Sequence, residues 1–340
     1  MAGSENVFNI IQIGAQSGTA YSPGSAVAAT FKLPVEAPVA FELDRASQFA
    51  AWDLGRNARN APGSGFHGLR QASATLPAQV RFEDIAALLE MHCAGGVVAS
   101  GVGPYTRIYP FEVGTPTLIP ATIQGGNTDT SQSQARLVSA LIDTLTIGFP
   151  DIVVPGAQPW TVSAGIIAVD REISAVTGSL SARTGLETVQ GHLTRLYEGT
   201  TGTAFAALAE LSATLKSFTM TSNRFLALRA YGSADDKAIR FGFKQMSACT
   251  FEAKVGISAD TKTDFHDVWN SSGGALGERR MRLQAAGSGT KMFTVDFRSG
   301  ITAVPWDDID GERVYKVTGE MVDDSTLNGL WQATIVNSVA

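Results

Sequence analysis

Apolar and polar residues alternate along much of this chain with a period of two, the pattern of strands that bury one face. From Cys249 to Ile257 the odd positions are Cys249, Phe251, Ala253, Val255 and Ile257, with Thr250, Glu252, Lys254 and Gly256 between them. Leu145, Ile147 and Phe149 alternate with Thr144, Thr146 and Gly148. After a break at 150–159, Val162, Ala164, Ile166 and Ala168 alternate with Thr161, Ser163 and their neighbours. Phe218 and Met220 alternate with Ser217, Thr219 and Thr221. Similar runs place Phe293, Val295 and Phe297 on one face, then Tyr315, Val317 and Met321, then Trp331, Ala333 and Ile335. Clusters of Gly, Pro, Asn and Asp separate these runs. The pattern predicts a mainly β chain of antiparallel sheets, a sandwich or a barrel.

Few segments have the helical period. The clearest is FEDIAALLEMHC at 82–93, where Ile85, Leu88 and Leu89 fall at helical spacing. Glu83 and Asp84 are placed in its first turn, favourable to the positive helix end, and Gly95 and Gly96 stop it. A second short helix is expected at about 262–269. TAFAALAEL at 203–211 fits helix and strand equally.

The segment 42–73 lacks strong periodicity and carries Arg45, Arg56, Arg59 and Arg70 among Gly, Asn and Pro. A structureless stretch of this length inside a compact domain is uncommon and usually functional or disordered. It reads as an arm that orders on a neighbouring subunit; a solvated excursion is the alternative. A faint echo relates 139–169 to 217–257, so the chain is one elaborated domain over 1–340 or two pseudo-repeat halves, about 1–180 and 181–340.

Composition narrows the function. Among 340 residues 44% are hydrophobic and 17% charged, with a formal net charge of −6. Lys and Arg are dispersed, so no basic patch is built to grip phosphates. An acidic balance instead permits a wall past which DNA slides. The two cysteines, Cys93 and Cys249, form no CxxC pair and the four histidines are scattered, so neither a zinc spacing nor a disulfide framework is present. Cys249 is expected to be a buried small hydrophobe. No segment approaches the roughly 20 apolar residues that span a bilayer, and the first residues lack the order of a signal peptide.

Chemistry-bearing motifs test poorly. Gly63, Gly65 and Gly68 spell GxGxxG, but no strand precedes and no helix follows, so a turn-rich loop explains them better. Asp307, Asp308, Asp310 and Gly311 resemble half a calcium loop, yet Trp306 and Val317 stand where ligands would be needed, which leaves an acidic hairpin turn. His92 and Cys93 are helical neighbours about 100° apart, a poor catalytic pair. His266, beside Asp264 and Asp267, reads as a solvated helix end. No catalytic residue, metal ligand set or cofactor site is assigned.

The order of segments resembles the tail tube (major tail) proteins of long-tailed bacteriophages. GAQSGTAYSPGSAVAATFKLPVE (14–36) is followed by ATLPAQVRFEDIAALLEMHCAGG (74–96), YTRIYPFEVGTPTLIPATIQGG (105–126) and ARLVSALIDTLTIGF (135–149). The C-terminal plan is KMFTVDFRSG (291–300), the hairpin DIDGERVYKVTGE (308–320) and LWQATIVN (330–337). The segment 170–205 matches less well and reads as an insertion. The resemblance implies an antiparallel β-sandwich with one flanking α-helix, subunits joined as hexameric rings or as rings of three double-domain subunits, and rings stacked into a tube. Partners implied are other copies of the chain, a tape measure protein in the lumen, tail terminator and baseplate proteins at the ends, and double-stranded DNA that passes without specific binding. Assembly in the bacterial host cytoplasm and residence in the virion follow.

Sheet strands closing a ring between neighbours would remove exposed edges. The expected lumen face is the polar side of the strands about 140–149, 160–169, 212–221 and 247–258. It carries Thr144, Thr146, Thr161, Ser163, Thr219, Thr250 and Glu252, with Lys254 expected to pair with an acid. Two rival readings are another β-rich tail ring component, such as a terminator or baseplate protein, and a carbohydrate-binding β-sandwich or hydrolase.

Overall fold

The computed structural model describes residues 7–16, 25–49, 65–95, 103–114, 116–127, 134–152, 158–178, 180, 185–211, 215–229, 240–271 and 277–338. The strands run in chain order as β1 (Val7–Phe8), β2 (Ile10–Ala15), β3 (Phe31–Leu33), β4 (Val39–Ala40), β5 (Glu42–Phe49) and β6 (Gly65–Gln79). After helix α1 (Ile85–His92) come β7 (Tyr105–Pro110), β8 (Ala121–Gly126), β9 (Ala135–Phe149), β10 (Thr161–Ile173), β11 (Thr194–Gly199) and β12 (Ala209–Leu211). Then follow β13 (Leu215–Asn223), β14 (Leu226–Arg229), β15 (Arg240–Phe243) and β16 (Ala248–Gly256). The second helical run is α2 (Ala259–Thr261), a π-helical turn (Lys262–Asp267) and α3 (Val268–Ser271). The chain ends with β17 (Gly277–Ala286), β18 (Met292–Ala303), β19 (Trp306–Ile309), β20 (Glu312–Val322) and β21 (Trp331–Asn337).

The mainly antiparallel β expectation holds. One wall follows the order β5–β6–β10–β9–β13–β16–β20–β18–β17–β11–β12, every pairing antiparallel. Two isolated bridges, Arg81↔Thr188 and Pro159↔Gln190, tie the chain entering β11 to the ends of β6 and β10, and the wall closes as a barrel. Within the segment 170–205, residues 170–173, 188, 190 and 194–199 pair into the wall. The long strands β9 and β18 each change neighbours midway. β9 pairs with β8 over its first half and β13 over its second, and β18 pairs with β21 and then β20.

The alternating apolar residues fill the interior as the period requires. Leu145, Ile147, Phe149, Val162, Ala164, Ile166, Phe218, Met220, Phe251, Ala253, Val255 and Val317 are buried. Trp160 sits at the centre of their aromatic packing, with ring centroids 5.2 Å from Phe149, 6.0 Å from Phe218 and 5.5 Å from Phe293. Its indole N–H donates to Thr194 Oγ1 at 2.8 Å, which satisfies a polar atom that burial would otherwise penalise.

Several expectations are corrected. Helix α1 begins at Ile85, so Glu83 and Asp84 precede it; Ile85, Leu88 and Leu89 are buried as the period predicts. Ile257 lies beyond the end of β16 and is exposed, because the chain turns at Ser258 into a capping box with Thr261. The ambiguous 203–211 resolves into a 3₁₀ turn, Phe205–Ala207, and β12.

The segment 42–73, expected to lack regular structure, is strand at both flanks. Among the described residues β5 pairs only with β6, in register from Glu42↔Ser73 to Phe49↔Gly65. A two-stranded ribbon is held by backbone hydrogen bonds and needs no buried face, so alternation is a poor guide to it. Gly65 and Gly68 lie in β6 and not in a loop.

Candidate functional site

The four strands that carry the candidate lumen residues are adjacent in one sheet, in the order β10–β9–β13–β16. Register aligns their polar positions into rows across the strands. One row reads Ser163–Thr146–Thr221–Thr250–Glu320, and the next reads Thr161–Gly148–Thr219–Glu252–Thr318. Thr144, Thr146, Thr161, Ser163, Thr219, Thr250 and Glu252 are all half-buried or exposed, opposite the buried face. The structure thus brings all seven together on one continuous surface. β20 adds Thr318 and Glu320, which alternation on that strand could have supplied.

The hydroxyls interlock. Thr146 Oγ1 and Thr221 Oγ1 are 3.1 Å apart, and Thr144 Oγ1 donates to Asn223 Oδ1 at 2.7 Å. A shallow depression of about 610 Å³ is lined by Thr219, Thr221, Thr250, Glu252, Thr318 and Glu320, among others. Gly148 interrupts its row because a Cβ there would collide with the Phe218 carbonyl and crowd the Thr219 Cα at 2.7 Å.

Two charges on this face, Glu252 and Lys254, are paired within the chain. Glu252 accepts from Lys316 at 2.9 Å. Lys254 reaches Asp151 at 3.0 Å and Asp307 at 3.1 Å, as expected for a cation on this wall. Burial works against the charge on Lys254, but the hydrogen bonds and charges of the two carboxylates outweigh it and raise its pKa.

A β-bulge limits the face. At Gly165/Ile166 the β9–β10 register skips Asp143, whose carbonyl accepts Arg224 N–H at 2.8 Å and whose carboxylate accepts Leu226 N–H at 2.5 Å. Burial raises the Asp143 pKa, against that bond and the charge of Lys244. Beyond the bulge, Leu141 and Val169 pack with Leu118, Leu226 and Phe241 in a second small core. The hairpin β14–β15 supplies Leu226 and Phe241 and covers the sheet there.

Arg45 and Arg70 stand opposite one another in the β5–β6 register, and Arg56 and Arg59 lie outside the described residues.

Sequence reading missed the buried pair His92 and Ser222. His92 Nε2 lies 2.6 Å from Ser222 Oγ, and Nδ1 lies 3.0 Å from the Ile142 carbonyl. Nδ1 must donate to that carbonyl, so Nε2 accepts from the serine. Both residues are fully enclosed, which denies a substrate access to the hydroxyl. Burial, then the charge of Arg224, lower the His92 pKa to about 3, against the pull of the Ile142 bond. Arg224 is itself buried, donates to the His92 carbonyl at 2.8 Å and stacks 3.6 Å over Phe111. Cys93 and Cys249 are free and buried, and burial raises the Cys93 thiol to about 12. The cluster cements α1 to the barrel.

His266 is more embedded than a solvated helix end: it bonds Asp267 at 3.0 Å and stacks on Tyr315 at 5.7 Å. The acidic turn is as expected, with Asp310 and Gly311 both at positive φ between β19 and β20. No described helix is long and apolar enough to cross a membrane. No protein-family model matches the chain, and no curated protein matches it.

Proposed function

We propose that this chain is a tail tube subunit of a long-tailed phage, and that the hydroxyl face faces the lumen of the assembled tube. The observation that supports this most is the continuity of that face. Strands distant in sequence place Ser163, Thr146, Thr221 and Thr250 in one row, and nearby Lys254 and Lys316 are held by acids. Such a wall offers sliding DNA neutral hydroxyls and no free row of cations, so phosphates find weak partners only. In this reading copies form hexameric rings that stack, a tape measure protein fills the lumen before DNA, and terminator and baseplate proteins close the ends. The ribbon β5–β6 is the arm that a neighbouring subunit would hold.

Sedimentation and negative-stain imaging across a concentration series test the reading. Stacked rings or tubes are expected; single rings that never stack would favour a terminator or baseplate component, and a compact monomer at every concentration would defeat both. In virions, Glu252→Lys frees Lys316 and adds two positive units per subunit. Assembly should persist, because the apolar face is untouched, and genome ejection should slow at low salt.

A further inference from the structure

Opposite ends of β16 carry exposed apolar side chains. Met246, two residues before the strand, is 78% exposed. At the far end Tyr315 pairs with both Val255 and Trp306, and Trp306 is 59% exposed. From the level of Met246 to that of Val255 is roughly 30 Å at about 3.3 Å per residue. Both features therefore cannot belong to one small patch.

The two ends differ in shape. Met246 lines a solvent-open cavity of about 290 Å³ together with Val113, Gly114, Phe243 and Lys244. Trp306 projects, its ring propped at 4.9 Å against Tyr315, on which His266 stacks at 5.7 Å. The ends differ in charge as well. Beside Trp306 the hairpin tip 307–313 holds four acids and one arginine, with Asp308 and Asp310 exposed. Among the described residues that line the cavity, the exposed charge is Lys244.

We propose that the Trp306 indole of one copy enters the Met246 cavity of a second copy, head to tail, with its acidic tip against Lys244. This rests on the reading of the chain as a polymerising subunit and names the contact between successive layers. Knob and hole are different surfaces at opposite ends of β16, so the contact is heterologous and each copy keeps one free knob or hole to extend the stack. A tryptophan desolvated in a pocket is the usual centre of such an interface, and the flanking charges set its direction.

Trp306→Ala and Met246→Glu test the contact, both at exposed positions, with thermal melts to confirm the fold and Lys244→Glu as a second hole variant. Each variant alone is expected to need at least a tenfold higher concentration than wild type to stack. Mixing the two should give pairs and nothing longer, because only the Met246→Glu knob and the Trp306→Ala hole remain intact. Stacking by Trp306→Ala equal to wild type, or a mixture that does not pair, overturns the inference and leaves the tube reading standing. Wild-type chain that stays monomeric at all concentrations overturns both.

Discussion

The ammonium of Lys254 on β16 lies 3.1 Å from the Asp307 carboxylate on β19, reaching across β20, and Asp151 holds it from the other side. Lys254 is raised in pKa and Asp307 is lowered, the latter by the Asp308 N–H bond first and then by Lys254. A raised lysine contributes its stability below the unfolded value and loses it as pH rises through the folded one. The lowered acid contributes above its unfolded value and loses it as pH falls through the folded one. Lys254→Ala should lower the melting midpoint by no more than about 2 °C, since surface pairs are weak. The difference should be flat between these limits and shrink above pH 10.5 and below pH 3.8. Melting curves across pH measure it.

His92 produces a stronger pH dependence. Its folded pKa of about 3 lies below the ordinary imidazole value of 6.5. Between these values the unfolded chain binds a proton that the fold refuses, so stability falls as pH drops through that window. Between pH 7 and pH 4 the loss from this residue is on the order of 3 kcal/mol. Denaturant titrations at pH 7 and pH 4 should show that His92→Gln is less stable at pH 7 but flatter in pH.

Glu198 has the opposite sign. Burial raises its pKa to about 7, against the charge of Arg279, with the charge of Asp264 adding to the rise. Arg279 donates to Asp264 at 3.0 Å and lies 3.6 Å from Glu198. From pH 4.5 to 7 the fold binds the proton and the unfolded chain does not, so this residue's contribution falls as pH rises. Glu198→Gln should stabilise the protein at pH 8 and do nothing favourable at pH 4. Equal effects at both pH values would refute the assignment.

The ribbon β5–β6 tests the arm. A lone two-stranded ribbon is marginal in water, and the only named strand partner of β5 is β6. Hydrogen exchange at Glu42–Phe49 should be fast relative to β9 in the isolated subunit and slow in assembled material. Strong protection in a verified monomer would contradict the role.

Much was legible from alternation because a strand with one buried face must repeat every two residues. Cys249 to Val255 and Leu145 to Phe149 announce their buried sides in this way, and the same rule identified the polar positions of the candidate face. Asp310-Gly311 announced its turn, since those residue types tolerate positive φ. Alternation does not specify neighbours. That Thr146 meets Thr221, that Lys254 reaches Asp307 across a strand, and that 188–190 closes the barrel depend on pairing between distant segments. The bulge beside Asp143 and the burial of Arg224 and His92 were likewise hidden. Their residue types are polar, and only surrounding carbonyls and hydroxyls from other elements make their burial tolerable.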